Sequence, residues 1–138
     1  MSLWNAEQLP IQDALHVRDG RSYSITLDRS KSSGITLVGR CTLEDLLHDD
    51  PDFLADVMTT HKIVTSPQPG FLCCGEGSHG SDGFFARLDN NEKLVWVAFF
   101  VDSNPFHQIA QRQEHAMFTS TSGVTVTVHL DEPERWLD

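Results

Sequence analysis

The chain has 138 residues, 39% hydrophobic and 22% charged, with a formal net charge of -10 at pH 7. This length fits one domain, residues 1–138, that is large enough to bury a core. Such an acidic surface repels nucleic-acid phosphates and anionic lipids, so it favours basic partners over nucleic acid or membrane. No apolar run approaches the ~20 residues that span a membrane, and no signal peptide is evident, which indicates a cytoplasmic protein.

The first forty residues predict one short helix and a β-hairpin. Apolar residues at helical spacing indicate a helix from Pro10 to His16, with the proline in its first turn. Ser22–Asp28 alternates polar and apolar residues, as a half-buried strand does. A polar turn, residues 29–34, then leads into a second strand, Ile35–Cys41.

The main helical element is predicted from Thr42 to His61. Thr42 is a suitable N-cap, and apolar residues follow it at helical spacing. Asp50 and Pro51 interrupt this pattern and then suit the cap and first position of a second helix. The sequence therefore predicts a helical hairpin or a kinked helix.

The rest of the chain reads as strands joined by turns. Leu94–Val101, eight consecutive apolar residues, is typical of a strand buried on both faces, and the turn Asp102–Pro105 ends it. The glycine-rich segment Gly75–Gly83 predicts a flexible loop. Phe106–Glu114 is compatible with a helix or a strand, and we favour the strand. The other predicted strands are Phe71–Cys74, Phe84–Leu88, Ala116–Thr121 and Val124–Leu130.

These elements together predict an α+β fold. Its antiparallel, meander-like sheet has about six to eight strands, and the Thr42–His61 helical hairpin packs on one face.

An acidic stretch is the first candidate site. No Lys or Arg occurs between Cys41 and His61, and a patch of one charge sign on a helix pair can meet a basic protein surface. Acidic residues near a helix start also favour the helix dipole, so a solvated face without a partner is the alternative. The candidate partner-binding residues are Glu44, Asp45, Asp49, Asp50, Asp52 and Asp56.

A pocket near the glycine-rich loop is the second candidate. Thiol, imidazole and carboxylate groups occur there together, and polar residues follow the central strand. Standard zinc-ligand spacing is missing, so neither a metal nor another cofactor is predicted. The adjacent Cys73 and Cys74 also suit a structural role as small, reduced core residues, and a hairpin loop and tight turn explain the other residues. The pocket candidates are Cys74, His79, Asp82, Asp102 and Asn104.

The C-terminal third resembles small bacterial α+β proteins of the toxin-immunity type. This resemblance is carried by four segments: Val95-Trp96-Val97-Ala98-Phe99-Phe100, Ser103-Asn104-Pro105-Phe106, Ser122-Gly123-Val124 and Asp131-Glu132-Pro133. It implies a cytoplasmic protein that blocks a toxin domain by surface complementarity and needs no cofactor.

Three functions therefore remain open. The first is an acidic binding or inhibitor protein with a basic protein partner, and it involves no catalysis. The second is a small enzyme or ligand-binding domain with its pocket near Cys74–Asp82. The third is a structural subunit of a homo-oligomer, such as a homodimer paired through a sheet edge.

Overall fold

The computed structural model describes residues 2–49 and 54–135, and strands dominate this part of the chain. Its two helices are short: α1 spans Ser2–Asn5 and α2 spans Leu43–Asp49. Neither has the length or the apolar character needed to cross a membrane. The eleven strands are β1 Gln8–Pro10, β2 Ala14–Val17, β3 Ser22–Leu27, β4 Ile35–Cys41, β5 Leu54–Val64, β6 Phe71–Gly77, β7 Gly83–Leu88, β8 Leu94–Phe100, β9 Phe106–Arg112, β10 His115–Ser120 and β11 Thr125–His129.

Two antiparallel sheets form the fold. The large sheet has eight strands in the order β1-β5-β6-β7-β8-β2-β3-β4, and the small sheet has the order β11-β10-β9. In a flat sheet, β1 and β2 would lie about 24 Å apart, at about 4.8 Å per strand. The connection between them, residues 11–13, reaches only about 14 Å. The large sheet therefore curls, which brings β1 back towards β2.

The hydrophobic core lies on both faces of the large sheet. One cluster fills the space between the two sheets, where Phe85 stacks on Phe118 with ring centroids 4.1 Å apart. The other cluster lies inside the curl, where Phe84 and Phe99 pack with Leu9 of β1. Because both faces are covered, the central strands β7 and β8 are buried along almost their whole length.

Polar contacts join the small sheet to the large one. The side chains of Arg87 on β7 and Trp96 on β8 both donate to the carbonyl oxygen of Leu130, at 2.8 and 2.9 Å. The β3–β4 turn also crosses to the small sheet, since the backbone N–H of Thr127 donates to the carbonyl of Ser33 at 2.9 Å. These contacts fix the position of the small sheet relative to the large sheet.

Most of the predicted strands are confirmed. Leu94–Phe100 lies fifth in the large sheet, between β7 and β2, as expected for a strand with two buried faces. Phe106–Arg112 is a strand, not a helix. The predicted glycine-rich loop is shorter than expected, because residues 75–77 extend β6 and Gly83 begins β7.

The predicted α+β fold with a helical hairpin is wrong. Within the described residues, only its first part is helical: α2 begins after Thr42, whose Oγ1 accepts from the backbone N–H of Asp45 at 3.0 Å. Leu54–Val64 is the long strand β5. Its apolar spacing looked helical, but Ala55 and Val57 are buried while Asp56 and Met58 are exposed, and that is the period of a strand. The proposed break at Asp50 and Pro51 lies outside the described residues.

The short helix predicted from Pro10 to His16 is also wrong. Its residues belong to the end of β1, a short connection and the start of β2. Ala14, Leu15 and His16 are all buried, because β2 lies between β8 and β3 and is covered on both faces. Consecutive burial removes the alternation by which a strand is normally recognised in a sequence.

Candidate functional site

The six acidic candidates do not share one helical surface. Glu44 and Asp45 are exposed on α2, and Asp49 is the last residue of that helix. Asp56 lies on β5, where its Oδ1 accepts from the side-chain amide of Gln8 on β1 at 3.3 Å. Asp50 and Asp52 lie outside the described residues. Of these six candidates, Asp56 lies on a strand, β5.

The structure brings together three of the five pocket candidates. His79 and Asp82 lie in the loop between β6 and β7, and the backbone N–H of Asn104 donates to the carbonyl of Ser81 in that loop at 2.7 Å. Asp102 is exposed and lines a separate depression with residues of the β3–β4 and β10–β11 turns. Asp102 therefore lies apart from these three residues.

Cys74 is part of the core. It is fully buried between the two sheets, while its neighbour Cys73 is fully buried inside the curl. Burial raises the pKa of the Cys74 thiol to about 12 and that of Cys73 to about 11. The neutral thiol is a poor nucleophile and a poor metal ligand. The geometry therefore supports the alternative in which both cysteines are small core residues.

Ser78 links the two predicted sets of residues. Its Oγ accepts from the backbone N–H of Asp56 at 3.2 Å and lies 3.5 Å from His79 Nδ1. The backbone N–H of His79 donates to Asp82 Oδ1 at 3.3 Å, and His79 Nδ1 lies 3.4 Å from Asp82 Oδ2. One end of β5, β6 and β7 thus holds a serine, a histidine and two carboxylates.

Asp82 is the most buried polar group of this cluster. Its residue is only 1% exposed, and its carboxylate lies over Gly77, where any side chain would overlap it. Oδ2 has no hydrogen-bond partner within the described residues. The His79 side chain, by contrast, is 53% exposed. The buried carboxylate therefore faces an imidazole that is open to solvent.

The arrangement differs from a serine-protease-like triad. In such a triad the serine and the carboxylate contact different nitrogens of the imidazole. Here both Ser78 and Asp82 approach Nδ1 of His79. The described residues also contain no group of three or more side chains that could hold a metal ion. The cluster can orient an imidazole and hold a charge, but its geometry does not activate Ser78.

An acidic surface lies beside this cluster, on the outer face of β5 and β6. Asp56 and Met58 point to the same side of β5, and Glu76 on β6 is paired directly with Met58. Met58 is 56% exposed, and it lines a depression of about 360 Å³ together with Glu7. We call Glu7, Asp56, Met58 and Glu76 the acidic face.

The carboxylates of the acidic face are not neutralised by the chain itself. Within the described residues, Glu7, Asp56 and Glu76 form no ion pair. Several of the ten basic residues are engaged elsewhere, for example Arg18 with Asp89 at 3.2 Å. The others in ion pairs are Arg21, Lys62, Arg87 and Arg135. The acidic face therefore keeps its negative charge.

A second surface of different character lies where β5 approaches β9. A groove of about 570 Å³ separates the second half of β5 from the small sheet. Its lining combines apolar side chains with one lysine and two histidines, and no carboxylate occurs among the described residues that form it. The lining residues are His61, Lys62, Ile63, His107, Gln108, Ile109, Ala110, Met117 and Thr119. We call this the β5–β9 groove.

Sequence reasoning missed Ser78, Met58 and the β5–β9 groove. Met58 falls within the helical hairpin predicted for Thr42–His61, and the groove joins strands about 45 residues apart. An alternating reading of Leu54–Val64 would have placed Asp56 and Met58 together on the exposed face. No local signal identifies the groove, since it depends on how the sheets pack.

Comparisons with protein-family models, with curated proteins and with solved structures gave no match.

Proposed function

We propose that the chain is a binding protein that takes a basic protein partner on its acidic face. The observation that carries this proposal is the exposed Met58 between Asp56 and Glu76 on one sheet surface, where neither carboxylate forms an ion pair with another described residue. Protein interfaces commonly combine an apolar anchor with a polar rim, and methionine is enriched in them. The carboxylates attract a basic partner and orient it, and Met58 supplies apolar contact area.

The fold also supports recognition by a preformed surface. Asp56 is held by Gln8 through its side chain and by Ser78 through its backbone. Glu76 lies on β6, between β5 and β7. A surface fixed in this way loses little conformational freedom on binding, which favours affinity. The resemblance to toxin-immunity proteins implies the same mode of action, and we propose a basic toxin domain in the cytoplasm as the partner.

A capture experiment tests this proposal. The wild-type chain is immobilised, exposed to lysate of its native host, and its partners are identified by mass spectrometry. We expect it to retain a basic protein that is released as the salt concentration rises. The double variant Asp56→Asn with Glu76→Gln should lose that protein. The gene beside the one that encodes this chain should encode it.

A matched variant controls for the change in net charge. Glu114 and Glu132 are exposed outside the acidic face, so Glu114→Gln with Glu132→Gln removes the same formal charge. This control should retain the partner. Equal loss in both variants, or capture of no basic protein by the wild-type chain, would contradict the proposal.

A ligand-binding function is the second candidate, and it rests on Asp82. A buried carboxylate oxygen without a partner, 3.4 Å from the exposed imidazole of His79, favours a small cationic ligand at that point. A thermal-shift screen of cationic small molecules tests this function. A hit that stabilises the wild-type chain and loses its effect in Asp82→Asn would support it, whereas a screen without such a hit would argue against it.

A further inference from the structure

The second half of β5 is a strand with one unpaired side. β1 pairs with β5 only at residues 54–56, and β6 pairs with residues 57–64 on the opposite side. Between 58 and 64 the side away from β6 has no strand partner in the part of the chain that the structure describes. Met58 and Val64, 56% and 71% exposed, are two of the large hydrophobic residues that the fold leaves in solvent. Unpaired strand edges are sites at which another chain adds as a strand.

The β5–β9 groove lies along this unpaired side. β9 is itself the last strand of the small sheet, so the groove is bordered by two strands that each have one side without a strand partner among the described residues. Ile109, Ala110 and Met117 give its wall an apolar character. An extended peptide laid along β5 would gain backbone hydrogen bonds from the strand and apolar contacts from this wall.

The charge of the groove differs from that of the whole molecule. In a chain of net charge -10, the described residues that line the groove include Lys62 and two histidines but no Asp or Glu. Lys62 pairs with Cys73 and Ile63 pairs with Leu72, so the Lys62 ammonium lies on the opposite face of β5 from the apolar wall, where it would meet alternate side chains of an added strand. Lys62 forms an ion pair with Glu92 and lies 4.8 Å from the centroid of the Phe71 ring, but both side chains of the ion pair are substantially exposed, and such pairs contribute little to stability. Lys62 is therefore available to a carboxylate of another molecule. The groove complements an acidic segment.

A second copy of this chain fits the site poorly. The pairing register of β5 and β6 shifts between Thr59 and His61, which is the mark of a β-bulge. As a result Met58 pairs with Glu76 and Val64 pairs with Phe71, so the two apolar side chains lie on opposite faces. Two-fold pairing of β5 with itself about His61 would not bring Met58 of one copy against Val64 of the other.

We propose that the β5–β9 groove binds an extended segment of another protein, in which acidic and apolar side chains alternate, as an added strand on β5. The backbone of residues 58–64 supplies hydrogen bonds to the segment, and Lys62 pairs with one of its carboxylates. Its apolar side chains contact Met117 and Ile109. This surface meets the acidic face at Met58, and the acidic face takes a partner of the opposite charge.

Synthetic peptides test the proposal directly on the full chain. The probe is a blocked, fluorescent seven-residue peptide of alternating glutamate and valine, and binding is followed by fluorescence anisotropy. We expect it to bind at least about tenfold more tightly than the matched lysine–valine peptide. A proline at the central valine removes a backbone donor and should weaken binding by about tenfold as well. Equal binding of the acidic and basic peptides would overturn the proposal, as would a proline peptide that binds as well as the parent.

Two charge-reversal variants locate the binding site. Lys62→Glu should weaken binding of the acidic peptide about tenfold, whereas Lys93→Glu, in the turn before β8, changes the net charge equally and should have little effect. Amide NMR shifts should change at residues 58–64 and 107–110. Equal effects of the two variants, or shifts confined to other strands, would show that the peptide binds through net charge or at another place.

Discussion

The pH dependence of stability offers a sharp test of the fold, through a buried histidine. His16 on β2 is 2% exposed, and its Nδ1 forms a hydrogen bond with Ser22 Oγ at 2.8 Å. Its Nε2 is buried without a hydrogen-bond partner in the described residues. Burial disfavours the charged imidazole and lowers the pKa of His16 from 6.5 to about 4. We therefore expect acid to destabilise the chain well above the pKa of an ordinary carboxylate.

The sign and size of this effect follow from proton linkage. Between pH 6.5 and 4 the unfolded chain holds a proton on His16 and the folded chain does not, so the free energy of unfolding falls as the pH falls. The difference between the two pKa values, at about 1.4 kcal/mol per pKa unit, corresponds to about 3 kcal/mol. Above pH 6.5 the contribution of His16 to the free energy of unfolding is constant, and below pH 4 this contribution has been lost completely.

The assay is urea-induced unfolding at a series of pH values from 7 to 4, followed by tryptophan fluorescence, since Trp96 is fully buried. The variant His16→Gln cannot titrate, so its free energy of unfolding should fall about 3 kcal/mol less than that of the wild type over this range. Ser22→Ala keeps the buried imidazole and should keep the pH dependence. If His16→Gln and the wild type lost stability in parallel, the reasoning would be refuted.

Other titrating groups do not produce the same difference in the pH dependence of stability. Burial raises the pKa of Asp13 in the folded chain. Its contribution to the free energy of unfolding is therefore present below the pKa of the unfolded chain and is lost as the pH rises through the pKa of the folded chain. This direction is opposite to that of His16. The pKa values of Asp19, Asp28 and Asp89 are lowered, chiefly by hydrogen bonds from the Arg21 backbone, the Ser30 hydroxyl and the Lys93 backbone. Their contributions are lost only below about pH 4. All four groups are common to both proteins and cancel in the comparison.

Three further predictions concern packing. Phe85→Ala should lower the free energy of unfolding by about 4 kcal/mol in urea denaturation, because Phe85 contacts four aromatic rings between the sheets; a loss below about 1 kcal/mol would contradict this. Gly34→Ala should cost at least about 2 kcal/mol, since its Cβ would overlap the Thr125 carbonyl, whereas Gly123→Ala, with similar positive φ in open space, should cost about 1 kcal/mol. A thiol reagent should modify only the partly exposed Cys41 in the folded chain and all three cysteines after unfolding; rapid labelling of a second thiol in the folded chain would show that the core is open.

Strands with a clear local pattern were predictable from the sequence. Ser22–Leu27 and Thr125–His129 alternate polar and apolar residues, and the structure places their apolar side chains in the core. Leu94–Phe100 is apolar throughout because the curl of the large sheet covers one face and the small sheet covers the other. In each case the local pattern and the tertiary environment agree.

Residues 54–64 could not be assigned from spacing alone. Leu54, Val57 and Met58 are compatible with a helical face, and the preceding acidic residues favour a helix start. The second half of the segment, with Thr59 and Thr60 followed by Ile63 and Val64, contains β-branched residues that favour a strand. Pairing with β6 over residues 57–64 decides the outcome, and the spacing of apolar residues within the segment does not reveal it.

The candidate site was predictable only in part, for a related reason. His79 and Asp82 are three residues apart, so a short loop brings them together, and that proximity could be read from the sequence. The contact of Ser78 with Asp56 joins residues 22 positions apart and depends on β5 being a strand. A helix at this position would have placed Asp56 on a different surface. The error in fold therefore carried directly into the prediction of the site.

The two proposed surfaces lie on one strand, and this has a testable consequence for their independence. Asp56 and Lys62 are six residues apart, about 20 Å along an extended strand, and the bulge between Thr59 and His61 lies between them. Residues so far apart without shared partners contribute additively to free energies. Asp56→Asn should therefore leave binding of the acidic peptide unchanged, and Lys62→Glu should leave capture of the basic protein unchanged. Mutual effects would instead mean that one partner covers the whole of β5.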